Sequence, residues 1–431
     1  MLGLNTKLAR LQEEGRPIKI GLVGAGQMGR GMISQLMYIK GMEVAVIADL
    51  DLERAIDACQ IAGMTEDDYK IVATLDEAND CGLKGKLAIT EDAQIAIEAH
   101  QVDVVVDATG VPDVGARVAY ESIMHGKHIV LLTVETDVVV GPFLSRLAAR
   151  AGVVYTGTAG DEPGSLKELY DFATASGYEV RSLGKGPNNL LELDCTPDTV
   201  YEEAVRRKMN PRMLCSFKDN TKTMIELTAI SNATGLIPDV PGCHGGSATP
   251  ETITDLLSLK EEGGILNRYG VVEYVHGMAP GVFLTFSTPS PEVRAELKYL
   301  QMGDGPNYLL YRPYHLCSLE TPLSIAKAAI DHLPTIIPAA GMVSETMAVA
   351  KTDLQAGSYL DGIGGFTVRG LIDTYERAKE QNAVPLGLIT SQTKLKRDVQ
   401  KGQILSYDDV ELDEQAFIVQ LRRLQDTLGV R

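Results

Sequence analysis

Residues 17–51 constrain the fold of this chain more than any other stretch. They read PIKIGLVGAGQMGRGMISQLMYIKGMEVAVIADLD, in which a glycine-rich turn joins an apolar run to a helix-like run and a second apolar run follows. Short runs rich in Val and Ile, without clean alternation, are typical of strands that helices bury on both faces. Strand, helix and strand in this order predict a parallel, doubly wound sheet.

The same alternation continues to about residue 160. Further strand-like runs lie at 102–110, 128–135 and 153–160, and helix-like stretches separate the runs, at 27–39, 51–62, 112–125 and 138–150. Segment 63–86 is polar and irregular, which predicts an insertion on the rim. We therefore expect an α/β fold of the Rossmann type over residues 1–160.

The turn carries the spacing Gly-x-Gly-x-x-Gly at Gly24, Gly26 and Gly29, with Gln27 and Met28 opening the helix. The first glycine allows a tight turn, the second lets a pyrophosphate approach the backbone, and the third lets the helix pack closely on the strand. The helix N-terminus then offers N–H groups to the phosphates. Because the turn follows a strand and opens a helix, it predicts a dinucleotide site.

Asp49 ends the second apolar run, twenty residues beyond Gly29. A carboxylate there accepts both ribose hydroxyls of NAD and repels the 2′-phosphate of NADP, so NAD is favoured over NADP. The nearest arginine, Arg54, lies within the next helix. Ligands of such sheets lie outside the carboxyl ends of the strands, which predicts Thr109 and Gly110 beside the nicotinamide half.

The net charge of −18, without a basic stripe, argues against a nucleic-acid partner. No apolar run approaches the ~20 residues of a membrane span, and the N-terminal segment lacks the order of a signal peptide. The six cysteines never form C-x-x-C, which predicts idle thiols in a reducing compartment. We therefore expect a cytoplasmic protein with a small-molecule substrate.

Three polar clusters follow the first domain. GKGPNN places Lys185, Asn188 and Asn189 after a strand-like start, and YRPYHLCSLETP places Arg312 and His315 close together. Loops of this kind commonly carry function. Arg312 could bind a phosphate or carboxylate, and His315 could carry a proton. DNTKTMIEL contributes Lys222, at an expected strand start. The clusters make these residues candidates for substrate binding.

Residues 348–366 and 395–412 look like two versions of one pattern, in which Asp353 precedes Gly357 and Asp398 precedes Gly402. This region, roughly 347–412, resembles a SAF domain, a small β-rich module, and 413–428 follow as an amphipathic closing helix. The chain is thus expected to contain a Rossmann domain (1–160), an α+β substrate and oligomerisation domain (161–346) and a SAF domain with its closing helix (347–431).

Together with the Rossmann part, the GDEP, GKGPNN and RPYHLCSLETP segments and the SAF-like module resemble the homoserine-dehydrogenase-like oxidoreductases that include the deoxyxylulose phosphate reductoisomerase-like enzymes. The resemblance implies a homo-oligomer, a dimer or tetramer, that transfers a hydride to or from a small polyhydroxylated, phosphorylated substrate. Its best-known reaction converts 1-deoxy-D-xylulose 5-phosphate to 2-C-methyl-D-erythritol 4-phosphate with NADPH. Two features depart from this family. The acidic Asp49 argues against the NADPH that the reductoisomerase-like enzyme uses, and TVETD (133–137) has no lysine where homoserine dehydrogenases have one.

We assign Lys185 as the group that polarises the substrate oxygen and carries the proton, by analogy of role. Asp161 and Glu162 could orient Lys185 or the substrate. They are also the first candidates for a divalent cation, which the sequence does not establish. An NAD-linked dehydrogenase of another sugar acid or polyol is the rival reaction. A non-catalytic sensor that binds NAD and a sugar is the alternative of another class.

Overall fold

The computed structural model describes residues 3–430. Contacts between Cα atoms divide the chain into two compact units. The first comprises the residues up to Gly164, together with Leu316–Ile337 and the residues from Leu421 onward. The second comprises Ser165–His315 and Pro338–Gln420. The three-domain division of the sequence analysis stays a prediction.

Strands and α-helices alternate along the first part of the chain and follow one another less regularly after β8. The strands are β1 Ile18–Val23, β2 Met42–Ala48, β3 Tyr69–Ile71, β4 Leu87–Thr90, β5 Val104–Asp107, β6 His128–Leu131, β7 Tyr155–Gly157, β8 Glu179–Lys185, β9 Ile237–Pro238, β10 Val271–Tyr274, β11 Val282–Ser287, β12 Tyr308–Arg312, β13 Ser344–Ala350, β14 Val368–Thr374, β15 Lys394–Leu395 and β16 Val410–Glu411. The α-helices are α1 Leu4–Glu13, α2 Gln27–Leu36, α3 Leu52–Ile61, α4 Leu75–Leu83, α5 Ala93–Glu98, α6 Pro112–Met124, α7 Val134–Ala151, α8 Glu162–Ala175, α9 Tyr201–Arg207, α10 Pro211–Lys218, α11 Thr221–Thr234, α12 Ile253–Leu256, α13 Pro291–Tyr299, α14 Thr321–Ala326, α15 Tyr375–Glu380 and α16 Phe417–Thr427.

A seven-stranded sheet forms the centre of the first unit, in the order β3-β4-β2-β1-β5-β6-β7. All of its pairs are parallel. Helices between successive strands cover the sheet, so β4, β5 and the inner part of β1 and β2 are buried throughout. The predicted α/β fold of the Rossmann type is confirmed.

The strand order reverses between β1 and β5, where Val23 pairs with Asp107. This is the topological switch point, and in such sheets ligands bind in the crevice beyond it. The Gly24 turn follows β1 there, and Thr109 follows β5. The order of the strands therefore brings two candidate segments that are distant in sequence together at the carboxyl end of the sheet.

The interpretation of 63–86 as an irregular rim insertion is wrong. The segment contains β3 and α4, and β4 follows it to pair with both β2 and β3. The strand signal is weak because β3 has three residues and lies at the edge, with only Tyr69 buried. A short edge strand exposes polar side chains and so resembles a loop in sequence.

The closing helix α16 contacts α7 through side chains that form hydrogen bonds with the backbone of α7. Pro142 interrupts α7, and the Gln425 side chain bridges the gap next to it. The Phe143 N–H donates to Gln425 Oε1 at 3.1 Å, and Gln425 Nε2 donates to the Val139 carbonyl at 3.2 Å. The end of the chain thereby becomes part of the first unit.

The second unit contains a mixed five-stranded sheet in the order β12-β11-β8-β10-β9. Strands β8, β9 and β10 are parallel, and β11 runs antiparallel to both of its neighbours, β8 and β12. Two small antiparallel pairs, β13 with β14 and β15 with β16, follow in the C-terminal part. No helix among the described residues is long and apolar enough to cross a membrane.

Candidate functional site

The three glycines of the turn are required for different steric reasons. Gly24 has φ 101°, and a Cβ atom there would lie 2.8 Å from the Ala108 carbonyl group. A Cβ atom on Gly29 would lie 2.0 Å from the Gly24 carbonyl oxygen, so this glycine lets α2 pack against the turn. A Cβ atom on Gly26 would meet nothing within 4 Å. The protein itself therefore places no demand on Gly26, and the space beside it suits a ligand.

Helix α2 begins at Gln27, and no side chain caps its N-terminus. Gln27, Met28 and Gly29 form its first turn, and the N–H groups of a first turn lack partners within a helix. Such an end attracts phosphate groups. The open space at Gly26 and the uncapped helix together fit the pyrophosphate of a nicotinamide dinucleotide, in agreement with the predicted cofactor.

Asp49 ties the second strand to the glycine turn. Its Oδ2 accepts the Ala25 N–H at 2.7 Å, and its Oδ1 accepts the Asp51 N–H at 2.9 Å. Arg54, from α3, lies with Nη1 3.4 Å from the same Oδ1. A carboxylate accepts about four hydrogen bonds, so about one acceptor position remains for a ribose hydroxyl. The structure adds a cation, because Arg54 lies beside Asp49 although five positions separate them.

The segment after β5 is held by side-chain hydrogen bonds. Thr109 Oγ1 donates to Asp107 Oδ1 at 2.7 Å, and the Gly110 N–H donates to Thr133 Oγ1 at 3.0 Å. Asp107 is fully buried, and burial raises the pKa of its carboxyl group. Thr109 and Gly110 thus lie just beyond β5 at the switch point, and their position beside the nicotinamide half stays a prediction.

A second buried carboxyl group lies in the first turn of α7. Asp137 accepts a hydrogen bond of 2.8 Å from the Tyr155 hydroxyl of β7. Burial raises the pKa of Asp137 to about 6. Burial likewise raises the pKa of Tyr155, so the phenol stays protonated and continues to donate. TVETD, which has no lysine, therefore contributes a buried acid instead.

Asp161 and Glu162 follow β7, are buried, and belong to the first unit. The backbone before them pairs with the RPYHLCSLETP segment, because Gly160 bridges to Cys317 and its carbonyl accepts the Cys317 N–H at 2.7 Å. A Cβ atom on Gly160 would lie 2.3 Å from the Cys317 carbonyl oxygen. The GDEP glycine therefore permits contact between two motifs that are 157 positions apart in sequence.

Lys185 ends β8 in the second unit, and its Nζ donates to Glu226 Oε2 of α11. The side chains are 7% and 3% exposed, so both charges are buried together. Glu226 was not a sequence candidate. Lys222 lies one helical turn before it on the same face. The prediction of a strand at Lys222 is wrong: α11 is buried on almost all sides, so the helical period does not show in its sequence.

Sheet register places Lys185 and Arg312 in one row. Val282 of β11 pairs with Lys185 of β8 on one side and with Arg312 of β12 on the other. Directly opposed residues share a sheet face, and two strand spacings put the outer Cα atoms about 10 Å apart. Nη1 of Arg312 donates to Ser165 Oγ at 3.0 Å and lies 3.4 Å from Glu168 Oε2. The sequence could not show this register.

Three further candidates lie outside regular strands and helices. Asn188 is exposed, and Asn189 is half-buried with its Oδ1 accepting a 2.8 Å hydrogen bond from Arg207 Nη1. His315 is half-buried, three residues beyond the end of β12. Asn188 and Asn189 follow Lys185 closely, so the second unit brings them to the carboxyl end of β8.

Residues 160–321 match a protein-family model described as "Oxidoreductase DRL, catalytic domain". The match begins at the GDEP segment, ends at the RPYHLCSLETP segment and includes Lys185, Glu226 and Arg312. It confirms the prediction of an oxidoreductase at the level of enzyme class. The homoserine-dehydrogenase-like and SAF assignments stay predictions. A search of curated proteins found no match.

Several solved structures are similar to this chain at low identity. A probable dehydrogenase from Thermotoga maritima is 13% identical, with 74% of this chain and 90% of that chain covered and a TM-score of 0.41. An NAD binding oxidoreductase from Klebsiella pneumoniae is 21% identical over 42% and 47% of the two chains, with a TM-score of 0.29. The WlbA dehydrogenase from Bordetella pertussis, in complex with NADH and UDP-GlcNAcA, is 17% identical over 41% and 45%, with a TM-score of 0.28. The fold assignment of this chain rests on its own strand order and pairing.

Proposed function

We propose that this protein is an NAD(P)-dependent oxidoreductase that transfers a hydride to or from a small polyhydroxylated, phosphorylated substrate. The observation that carries the proposal is the buried ion pair of Lys185 and Glu226. Lys185 lies in one row of the sheet with Arg312, and all three residues belong to the segment that matches an oxidoreductase catalytic domain. Hydride transfer at a carbon that bears oxygen needs a proton carrier at that oxygen. It also needs groups that orient the substrate.

Lys185 is the proposed proton carrier. A bound nicotinamide supplies or accepts the hydride. As a carbonyl is reduced, Lys185 Nζ donates a proton to the oxygen, and in the oxidative direction it takes the proton back. Glu226 positions the ammonium group and compensates its charge in a site from which water is largely excluded.

Arg312 is the proposed binding group for the remote anion. Its guanidinium can bind a phosphate or carboxylate with two parallel hydrogen bonds. The Cα atoms of Arg312 and Lys185 are about 10 Å apart, and both residues lie on the same face of the sheet. Asn188 and Asn189 are proposed to bind substrate hydroxyls, with Lys222 and His315 as further polar groups of this unit.

Asp161 and Glu162 are the proposed ligands of a divalent cation if the reaction includes a carbon-skeleton rearrangement. Both are buried and adjacent at the start of α8, and carboxylate oxygens are the ligands that Mg²⁺ and related cations prefer. Retained turnover after exhaustive treatment with a chelator would argue against this role.

Two reactions are the named candidates. One is the conversion of 1-deoxy-D-xylulose 5-phosphate to 2-C-methyl-D-erythritol 4-phosphate with NADPH, and the other is the NAD-linked oxidation of a sugar acid or polyol. Asp49 favours the second, while Arg54 beside it offers a cation for the 2′-phosphate that the first requires. Assays with each substrate class and both cofactors distinguish the two reactions.

Substitution of Lys185 tests the proposal. Lys185→Ala should reduce turnover by about 10²–10⁴-fold, the usual contribution of a positioned proton carrier, while NAD binding stays nearly intact. Lys298→Ala, which removes an exposed lysine on α13, is the matched control. Near-normal turnover of Lys185→Ala would overturn the assignment. Tight NAD binding without turnover of any sugar phosphate or polyol by the wild type would favour a non-catalytic sensor.

A further inference from the structure

Two of the six cysteines lie side by side in the second unit. Cys195 follows β8, Cys215 belongs to α10, and their Sγ atoms are 3.4 Å apart although 20 positions separate them. Each thiol also lies near the other residue's carbonyl oxygen, at 3.5 Å and 3.2 Å. Because a disulfide has an S–S length of about 2.05 Å, an approach of roughly 1.4 Å would join the two sulfur atoms.

A buried cation lies against this pair. Lys351 Nζ is 3.4 Å from Cys215 Sγ, and it donates to the Cys195 carbonyl at 3.0 Å and to the Gly365 carbonyl at 2.8 Å. Asp219 balances its charge, with Oδ2 at 2.6 Å, and the two side chains are 2% and 0% exposed. The thiol pair thus lies in a polar environment that contains a fixed positive charge.

The two thiols are unequal. The hydrogen bond from Cys195 and the charge of Lys351 lower the pKa of Cys215, whereas the bond to Cys215 and burial raise the pKa of Cys195. Burial without such a partner raises the pKa of Cys59, in the first unit, to about 11. Lys351 Nζ lies 3.4 Å from Cys215 Sγ and donates to the carbonyl of Cys195. Because a nearby cation favours the thiolate, which is the reactive form, Cys215 is the nucleophile of the pair.

The pair also lies at the end of the segment that carries candidate substrate groups. Residues 186–195 lead from Lys185 past Asn188 and Asn189 to Cys195. The segment is already attached to the end of α10, because the Glu192 N–H donates to the Lys218 carbonyl at 2.7 Å. A covalent bond from Cys195 to α10 would restrain it further.

We propose that Cys195 and Cys215 form a reversible disulfide when the protein meets a hydroperoxide. The Cys215 thiolate attacks a peroxide oxygen, so an S–O bond forms, the O–O bond breaks, and the leaving oxygen takes a proton to become water or an alcohol. The Cys195 sulfur then attacks the Cys215 sulfur: the S–S bond forms, the S–O bond breaks, and hydroxide leaves as water with the Cys195 proton. The thiols lose two electrons, and the peroxide gains them.

Peptide mapping of the full chain tests the proposal without any substitution. The reduced protein is exposed to hydrogen peroxide, alkylated with iodoacetamide and digested with trypsin. Arg206, Arg207, Lys208 and Arg212 lie between the cysteines, so peptides 186–206 (GPNNLLELDCTPDTVYEEAVR) and 213–218 (MLCSFK) separate unless a disulfide joins them. We expect the two peptides to appear joined, without alkyl groups, and to separate after treatment with dithiothreitol. Full alkylation of both cysteines after peroxide treatment would overturn the proposal.

Variants locate the bond and the order of attack. Cys243→Ser removes a half-buried cysteine elsewhere in the second unit and should leave the joined peptides unchanged. Cys195→Ser should abolish them and leave a sulfenic acid on Cys215 that dimedone traps. Joined peptides that contain Cys243 or Cys317 instead would contradict the assignment. So would oxidation of Cys215 in the wild type to a sulfinic acid without any disulfide.

Discussion

Asp353 and Asp398 each accept a backbone N–H from the turn that follows the other aspartate. Asp353 Oδ1 accepts the Lys401 N–H and Asp398 Oδ1 accepts the Ala356 N–H, each at 2.8 Å. In both cases the donor lies three residues beyond the opposite aspartate. Between them, Leu354 and Val399 exchange backbone hydrogen bonds of 2.8 and 2.9 Å. The two versions of the sequence pattern therefore pair with each other about a local two-fold relationship.

This symmetry predicts equal and separable effects of two substitutions. Asp353→Ala should speed amide hydrogen exchange at Lys401 and leave Ala356 unchanged, and Asp398→Ala should do the reverse. Each should lower the free energy of unfolding by about 1 kcal/mol, the usual contribution of one hydrogen bond. Asp408→Ala, at an exposed position of the same region outside both turns, is the control. Faster exchange at both amides in either variant would show that the two turns do not act separately.

Alanine at two glycines of the turn should give opposite phenotypes. Gly26→Ala should weaken NAD binding by at least tenfold without lowering the melting temperature, because its Cβ atom meets no protein atom. Gly29→Ala should lower the melting temperature, because its Cβ atom would lie 2.0 Å from the Gly24 carbonyl oxygen. Calorimetric titration with NAD and thermal unfolding of each variant check this. If Gly26→Ala keeps the wild-type affinity for NAD, the pyrophosphate does not bind beside Gly26.

Arg54 should influence the choice of cofactor. If its guanidinium binds a 2′-phosphate, Arg54→Ala lowers kcat/KM for NADP(H) by about 10-fold or more and leaves that for NAD(H) nearly unchanged, since a charged hydrogen bond contributes about 1.5–3 kcal/mol. Asp49→Ala should change the NAD(H) value instead. Kinetics with both cofactors measure the ratio. Equal losses of kcat/KM with NAD(H) and NADP(H) in Arg54→Ala would show that Arg54 only supports Asp49 and α3 and does not bind the 2′-phosphate.

Asp137 should make the first unit less stable as the pH rises. Its pKa of about 6 in the folded state lies above the ordinary value, so the folded state binds the proton more tightly than the unfolded chain does. The resulting stabilisation is complete below about pH 4 and is lost as the pH rises through 6, a change of about 3 kcal/mol at most.

Asp137→Asn removes this titration while an amide oxygen can still accept from Tyr155. We expect the variant to match the wild type near pH 4 and to melt higher at pH 8. Asp76→Asn, at an exposed position of α4, should show no such divergence. A melting-temperature difference between Asp137→Asn and wild type that does not change with pH would contradict the buried carboxylate as its cause.

The parts of the fold that the sequence predicted are those with local signals. Strands β1, β2, β5, β6 and β7 are apolar runs, and the glycine turn joins β1 to α2 within a few residues. The segment that contains β3 and α4 was missed because its edge strand exposes most of its side chains. Helix α11 was missed because burial on almost all sides removes the polar face that marks a helix.

The sequence predicted individual residues of the candidate site but not their arrangement in space. Lys185 and Arg312 stood out as polar groups after apolar runs, but their common row depends on the pairing of both with Val282. Glu226 gave no signal because a lone acid in a buried helix resembles any other acid in sequence. Cys195 and Cys215 likewise carry no spacing motif, and only tertiary packing brings them together.

The insertion of Gln425 into the backbone of α7 has a consequence for the order in which this protein is made. The first unit includes Leu316–Ile337 and the residues from Leu421 onward, so the whole of the second unit is synthesised before the hydrogen bonds next to Pro142 can form. A nascent chain that stops short of Gln425 holds an α7 with an unfilled gap. The Rossmann unit, although it is translated first, is therefore completed last.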